Sequence, residues 1–248
     1  MRRPHRPSPV LPPPRRLYAP RLQRAELLRD VAAADLDLDE LLVILPTGQL
    51  ILLARELLIA GFSVHAVDAS PAMIELARDY AHGARVDVLR LPTGLATGAD
   101  AALPESDAVV STGHVLNYLD TRDDIAQALG ELARAVRAGG VLAIDLMTAR
   151  FAERRDISQV HAKVTDDWAI VTRFSRPAPH RFDRRITVFR RSGDGWRRSD
   201  EHHRNVTFEV DDALRVLRDN GIDAHPRAAF GDEKLPEGLI VLTGVRKC

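Results

Sequence analysis

The segment SVHAVDASPAMIELAR, residues 63–78, contains a β-strand, a turn and most of a helix in immediate succession. Ser63–Asp68 is an apolar strand that ends on a carboxylate, and Ser70 and Pro71 follow as the N-cap and the first residue of a helix. The predicted buried stripe of that helix consists of Met73, Leu76, Ala77 and Tyr80. A strand joined directly to a capped helix is the repeating unit of a parallel sheet that helices cover on both faces.

The same alternation continues on both sides of this segment. Further strands are predicted at Leu41–Leu45, Val86–Leu91, Asp107–Ser111 and Val141–Leu146. Further helices are predicted at Gln49–Ala60, at Ile125–Arg137 after a capping box of Thr121 and Asp124, and at Asp211–Asn220. Two closing strands, Ile222–Phe230 and Leu239–Arg246, complete the pattern. These elements predict an α/β fold with a doubly wound, mostly parallel sheet.

After residue 150 the apolar residues recur at every second position, which is typical of an antiparallel meander. Its predicted strands are Trp168–Phe174, Arg184–Arg190 and Trp196–Phe208. We therefore expect residues 21–246 to form one domain, with an antiparallel β insertion at residues 165–208 before the last helix. Residues 1–20 are rich in Pro and Arg, and we expect them to be a disordered tail.

Composition narrows the functional classes. The chain has 248 residues with 35 basic and 35 acidic side chains, so bulk charge does not favour nucleic acid or an anionic membrane as a partner. The single cysteine, Cys248, excludes disulfides within the chain and cysteine-based zinc sites. No apolar run approaches the roughly 18 residues of a membrane helix. We expect a cytoplasmic protein with no membrane or nucleic-acid partner and no metal.

The carboxylate of Asp68 is the first candidate for ligand binding. In doubly wound sheets, ligands bind beyond the carboxyl ends of the strands, and a carboxylate there can accept hydrogen bonds from both hydroxyls of a ribose. Gly48 lies twenty residues earlier, which is the spacing between a nucleotide-binding glycine turn and its ribose-binding acid. The same spacing occurs in nicotinamide-dependent oxidoreductases, so this class is an alternative function for the chain. An aspartate at a strand end is otherwise a helix cap or a solvated residue.

Three segments resemble successive parts of class I S-adenosylmethionine-dependent methyltransferases: HAVDASPAMIELAR (65–78), DAVVSTGHVLNYL (107–119) and RAVRAGGVLAIDLMT (134–148). The resemblance extends from about residue 41 to 246, and the placement of the meander is similar to bacterial small-molecule methyltransferases. It implies a Rossmann-like fold in which a seventh strand is inserted antiparallel beside the fifth. It also implies S-adenosyl-L-methionine as cofactor and a small-molecule methyl acceptor, and it leaves a homodimer open.

The resemblance also assigns roles to individual residues. Asp68 would bind the ribose hydroxyls, with Ala69, Ser70 and Met73 along the adenosine and Gly48 in the glycine turn. The methionine end of the cofactor would be lined by Ser111, Thr112, Gly113 and His114. Asn117 and Tyr118 would face the acceptor.

An amine or phenol acceptor must lose a proton, and a histidine with a pKa near 7 suits that task. The catalytic candidates are His114, Tyr118 and His202. His202 and the adjacent His203 would reach the site from the meander. The alternative for both is a solvated strand end, or an imidazole that is satisfied by Glu201.

The first turn departs from the family pattern. In LLVILPTGQLILLAREL (41–57), only Gly48 matches a motif glycine, while Leu42, Ile44 and Pro46 occupy the positions of the acid and of the other two glycines. Side chains in place of glycine crowd the cofactor, and Pro46 also removes an amide donor. We therefore expect S-adenosylmethionine to bind with a Kd above about 1 μM. The alternative is a non-catalytic binding or interaction protein that has lost the cofactor turn.

The meander is rich in arginine, at positions 173, 181, 184, 185, 190, 191, 197 and 198. Interleaved with Phe and Trp, these side chains suit an anionic acceptor or RNA. Only three residues of the chain are lysine, so arginine is the default basic residue here. We therefore interpret the arginines as the outward face of the sheet.

Overall fold

A computed structural model describes residues 40–44, 49–89, 91–92, 103–231 and 233–247. The expectations for the tail at residues 1–20 and for Gly48 in the first turn fall outside these residues. In the described part of the chain, no helix combines the length and the hydrophobicity needed to cross a membrane.

The strands, in chain order, are β1 Glu40–Ile44, β2 Ser63–Asp68, β3 Arg85–Val88, β4 Ser106–Ser111, β5 Val136–Met147, β6 Val160–Val164, β7 Trp168–Ser175, β8 Arg181–Ser192, β9 Gly195–Val206, β10 Ile222–Arg227, β11 Ala229–Phe230, β12 Glu233–Lys234 and β13 Leu239–Arg246. The helices are α1 Gln49–Ile59, α2 Pro71–Tyr80, α3 Arg122–Ala135, α4 Ala149–Glu153 and α5 Val210–Asp219, with a 3₁₀ helix at Val115–Tyr118.

Among the described residues, seven strands form one sheet in the order β10-β13-β5-β4-β1-β2-β3. The neighbours from β3 to β5 pair in parallel, and β13 is antiparallel to both β5 and β10. This confirms the predicted α/β class, the mostly parallel sheet and the antiparallel strand beside the fifth. The chain winds in opposite directions from β1 and β4, so the topological switch point lies between these two strands.

Helices cover both faces of this sheet. On one face, Leu53 and Leu57 of α1 and Ile74 of α2 belong to a single buried cluster, and α3 and α5 cover the other face. The buried stripe of α2 differs from the predicted one. Its fully buried residues are Ile74 and Ala77, whereas Tyr80, which was predicted to be buried, is 44% exposed. The predicted capping box of Thr121 and Asp124 is present at the start of α3.

The antiparallel insertion has the order β6-β7-β8-β9 in the described residues. The first of these strands was not predicted, because Val160–Val164 is exposed throughout and shows no buried alternation. We call the sheet face that carries Phe174 and Phe182 the inner face. Phe182 stacks on Phe174 at 5.5 Å and meets Phe151 of α4 edge-on at 5.8 Å. These aromatic contacts hold the insertion against the end of β5.

Candidate functional site

Asp68 and Ser111 end two strands on either side of β1. Ile44 at the end of β1 pairs with Val67 on one side and with Ser111 on the other. Because neighbouring strands lie about 4.8 Å apart, the ends of β2 and β4 are separated by about 10 Å. An elongated ligand that lies across the end of β1 can therefore contact both side chains.

The Asp68 carboxylate is oriented by the start of α2. Its Oδ1 accepts a hydrogen bond of 2.7 Å from the Ser70 amide, and the residue is only 9% exposed. Ser70 occupies the predicted N-cap position, but its side chain makes no capping hydrogen bond. Ala69 is exposed, and Met73 is half-buried on the same helix. This geometry suits the predicted ribose-binding role of Asp68, which stays a prediction.

The loop after β4 has an unusual backbone that a buried carboxylate stabilises. Gly113 and His114 both have positive φ values, 87° and 49°. Their amides donate to the carboxylate of Asp145 at 3.0 Å and 2.7 Å. Consecutive amides that converge in this way form an anion-binding concavity, and here Asp145, only 3% exposed, is the anion. Sequence reasoning missed Asp145, although a lone carboxylate in the apolar strand VLAIDLM was a usable signal.

Two buried polar atoms on this loop have no hydrogen-bond partner among the described residues. They are the Ser111 Oγ and the His114 Nδ1. Leaving such an atom unsatisfied costs about 1–3 kcal/mol, so buried orphans indicate a place for a ligand or water. Thr112, between them, is fully buried. The predicted methionine-binding segment therefore presents polar atoms that a polar ligand can satisfy.

His114 differs electrostatically from the base that the sequence analysis expected. Burial, with smaller electrostatic contributions from Arg184 and His203, lowers the pKa of His114 to about 4. The imidazole is therefore neutral at pH 7 and weakly basic. Its catalytic role stays a prediction, but the pKa near 7 that motivated it is not found.

Asn117 does not face an acceptor, contrary to expectation. The residue is fully buried, and its Nδ2 donates to the carbonyl oxygens of Met147 (2.9 Å) and Val206 (2.6 Å). Its Oδ1 accepts from the Met147 amide at 2.8 Å. Asn117 therefore ties the 3₁₀ helix to the ends of β5 and β9.

Tyr118 belongs to a chain of hydrogen bonds that crosses to the insertion. Its hydroxyl lies 2.9 Å from Nδ1 of His203, and Nε2 of His203 lies 2.9 Å from Oε2 of Glu201. Since a carboxylate only accepts, the neutral His203 carries its proton on Nε2, and the Tyr118 hydroxyl donates to Nδ1. Arg184 donates a longer hydrogen bond of 3.4 Å to the Tyr118 oxygen. A base oriented by a carboxylate is the general arrangement for activating a hydroxyl.

His202, the histidine that was predicted as catalytic, is not part of this chain. Successive side chains of a strand point to opposite faces, so His202 projects from the outer face of the insertion. There its Nε2 lies 2.8 Å from Oδ2 of Asp183. The structure therefore brings together His114, Tyr118 and His203 in place of His202. In the described residues, no group of three or more His, Cys, Asp or Glu side chains is placed to hold a metal ion.

Comparison with known proteins supports an assignment to a family. Residues 46–140 match the family model of a methyltransferase domain. YqeM of Bacillus subtilis (strain 168), a protein named as a methyltransferase, is 26% identical over 167 residues, which is 66% of either chain.

Solved structures show the same fold. An S-adenosylmethionine-dependent methyltransferase from Clostridium acetobutylicum superposes with a TM-score of 0.73 at 16% identity and covers 93% of this chain and 92% of its own. CalS10, an amino pentose methyltransferase from Micromonospora echinaspora, also reaches 0.73, at 19% identity, with 92% and 91% covered. By the family match, residues 46–140 are similar to a methyltransferase domain, and the chain as a whole has the fold of these S-adenosylmethionine-dependent methyltransferases.

Proposed function

We propose that the protein transfers a methyl group from S-adenosylmethionine to an amine or a phenol of a small-molecule acceptor. The observation that carries the proposal is the Tyr118–His203–Glu201 chain, which follows β4 at the same edge of the sheet as Asp68. A ligand-binding carboxylate and a proton acceptor thus share one edge. The cytoplasmic location expected from the sequence is part of this proposal.

The residues at the ends of β2 and β4 fit the cofactor. The Asp68 carboxylate would accept hydrogen bonds from the ribose hydroxyls, and the half-buried Met73 would contact the adenine. The buried Ser111 hydroxyl would bind polar groups at the methionine end. The cofactor supplies a methyl group on a positively charged sulfur, ready for in-line displacement by a nucleophile. The protein's task is to position the acceptor and to take its proton.

Proton removal is assigned to the Tyr118 chain. As the acceptor's N–H or O–H proton moves to the Tyr118 oxygen, the Tyr118 proton can move to Nδ1 of His203. The Glu201 carboxylate then stabilises the imidazolium across the 2.9 Å hydrogen bond to Nε2. His114, neutral at pH 7, would contribute a hydrogen bond and the stacked ring that it places 6.1 Å from that of Tyr118.

Asp68→Ala should weaken binding of S-adenosylhomocysteine at least tenfold, because each lost charge-assisted hydrogen bond contributes about 1.5–3 kcal/mol. Isothermal titration calorimetry of the purified protein measures this change. The matched control is Asp87→Ala on the adjacent strand β3, because Asp87 forms an ion pair with Arg85 and a hydrogen bond with His65, and its side chain is 47% exposed.

Equal affinity in the wild type and the Asp68 variant would refute the ribose-binding assignment. The wild-type measurement also checks the first turn, for which we expect a Kd above about 1 μM. Cofactor binding with no methyl transfer to any amine or phenol would favour the alternative, a non-catalytic relative that retains the fold.

Tyr118→Phe should lower kcat by about 10²-fold or more, the usual contribution of a positioned acid or base, while the affinity for S-adenosylhomocysteine stays unchanged. The rate of S-adenosylhomocysteine formation with a panel of primary amines and phenols measures the effect. Tyr80→Phe is the matched control, since Tyr80 lies exposed on α2. Wild-type kcat in the Tyr118 variant would remove this residue from the proton path.

A further inference from the structure

We propose that Arg184 and Arg155 form a subsite for an oxyanion group of the methyl acceptor, which makes the acceptor an amino- or hydroxy-substituted carboxylate or phosphate. This inference rests on the proposed function, since it names the class of molecule that reaches Tyr118. The structural basis is two guanidinium groups at the inner face of the insertion that have no counter-ion in the described residues.

Arg184 was expected on the outward face of the meander, and this expectation is wrong. It lies on the inner face of β8, where it pairs across the sheet with Phe174 on β7 and with His203 on β9. Its Nη2 lies 3.4 Å from the Tyr118 hydroxyl, and its Nε is buried without a hydrogen-bond partner in the described residues. An uncompensated buried donor on a charged group is costly, so the guanidinium is positioned for an anion that is added later.

Arg155 approaches the same patch from the end of α4. Its guanidinium carbon lies 4.3 Å from the ring centre of Phe151 and 5.9 Å from that of Phe174. Its Nε is also buried and has no partner within the described part of the chain. The guanidinium of Arg155 therefore lies over the Phe174 ring, and Arg184 lies beside Phe174 on the neighbouring strand β8.

Two other arginines with restricted exposure, Arg137 and Arg122, have carboxylate partners, and Arg181 and Arg246 donate to backbone carbonyl oxygens. Arg137 lies 2.6 Å from Asp107 and Arg122 lies 2.5 Å from Asp212. The acidic residue of the inner face closest in register to Arg184 is Glu201, which is bound to His203 and whose side chain is 56% exposed. The positive charge of Arg184 also contributes to the lowered pKa of His114. The acceptor end of the site is therefore cationic.

A planar guanidinium binds a carboxylate or a phosphate with two parallel hydrogen bonds, and it does so most strongly where water is excluded. Arg184 already contacts the Tyr118 oxygen, so an oxyanion on its other nitrogen atoms would place the rest of the acceptor beside the proton path. The nucleophilic amine or hydroxyl would then lie within one small molecule's length of the acid group. Arg184 thus selects acceptors that carry both groups.

The binding test uses the S-adenosylhomocysteine-loaded protein and three probes that share an aromatic amine. The probes are 4-aminobenzoate, 4-aminobenzylphosphonate and the neutral 4-aminobenzamide. Calorimetry should show that Arg184→Gln weakens the binding of at least one anionic probe tenfold or more, whereas Arg185→Gln leaves its affinity unchanged. Arg185 is the matched control, because it follows Arg184 directly and is exposed on the outer face. The carboxylate and phosphonate arms distinguish the two sources of the oxyanion.

A second measurement uses small anions, so that it does not depend on an aromatic probe fitting into the site. The buried Arg184 Nε–H should give a slowly exchanging NMR signal, which Arg184→Lys removes while it keeps the charge. Titration with acetate and with inorganic phosphate should shift this signal and leave that of Arg185 in place. The proposal is overturned if none of the probes shifts the Arg184 signal, or if 4-aminobenzamide binds as tightly as the anions and is equally affected by Arg184→Gln. Failure of the cofactor to bind would refute the proposed function alone, since the titration also runs on the cofactor-free protein.

Discussion

Replacing Asn117 by leucine should lower the free energy of unfolding by about 2–5 kcal/mol. The leucine keeps most of the volume but removes two donated hydrogen bonds and one accepted hydrogen bond. The Met147 amide and the Val206 carbonyl oxygen would lose the partners that now lie at 2.8 Å and 2.6 Å. Both groups are buried, so water cannot replace the lost bonds without opening the junction between the 3₁₀ helix, β5 and β9.

Urea unfolding followed by circular dichroism measures this change. Gln127→Leu is the matched amide-to-leucine control on the exposed side of α3, where the amide donates a hydrogen bond to the neighbouring Glu131 side chain. We expect the control to stay within about 0.5 kcal/mol of the wild type. If the Asn117 variant were as stable as the control, the amide would not be the tie between these three elements. The same variant should also disturb Tyr118, its neighbour in the 3₁₀ helix, and so lower activity.

Gly238→Ala should destabilise the protein by about 3 kcal/mol or more, because strain and overlap add. Gly238 has a φ of +89°, which disfavours any side chain. A Cβ built there would lie 2.5 Å from the Phe151 Cα and 2.8 Å from the carbonyl carbon of Arg150. Since these are backbone atoms, they cannot move away by a change of rotamer. The Gly238 carbonyl oxygen also accepts from the Thr148 hydroxyl at 2.8 Å, so displacement would break the contact between α4 and β13.

Gly221→Ala is the control that separates backbone strain from the overlap of the added Cβ with its neighbours. Gly221 has a similar φ of +85°, but nothing lies within 4 Å of the added Cβ. We expect this control to lose only about 1–2 kcal/mol, which is the cost of the left-handed conformation alone. Thermal and urea unfolding of both variants provide the comparison. Equal losses at the two positions would show that the packing of α4 against Gly238 relaxes at little cost.

Much of the fold could be predicted from local patterns. The strand at Ser63–Asp68, the start of α2 after Ser70 and the capping box before α3 depend on neighbouring residues only, and all three are present, although Ser70 makes no side-chain capping hydrogen bond. The exposed strand Val160–Val164 could not be predicted, because it is defined by pairing with β7 and not by burial. The shifted stripe of α2 has a similar reason, since the sheet beneath the helix selects Ile74 and Ala77 over Met73 and Tyr80.

The candidate site, like the fold, could be predicted from the sequence only in part. The sequence by itself determined that Asp68 and Ser111 lie at the same edge of the sheet, because the carboxyl ends of parallel strands always meet at one edge. Only the tertiary structure decided which side chains join them from the insertion. The choice of His203 over His202, and the inward position of Arg184, depend on the register of β8 and β9 and on which face packs against Phe151. A shift of one residue would exchange the two faces, and local sequence carries no information about that register.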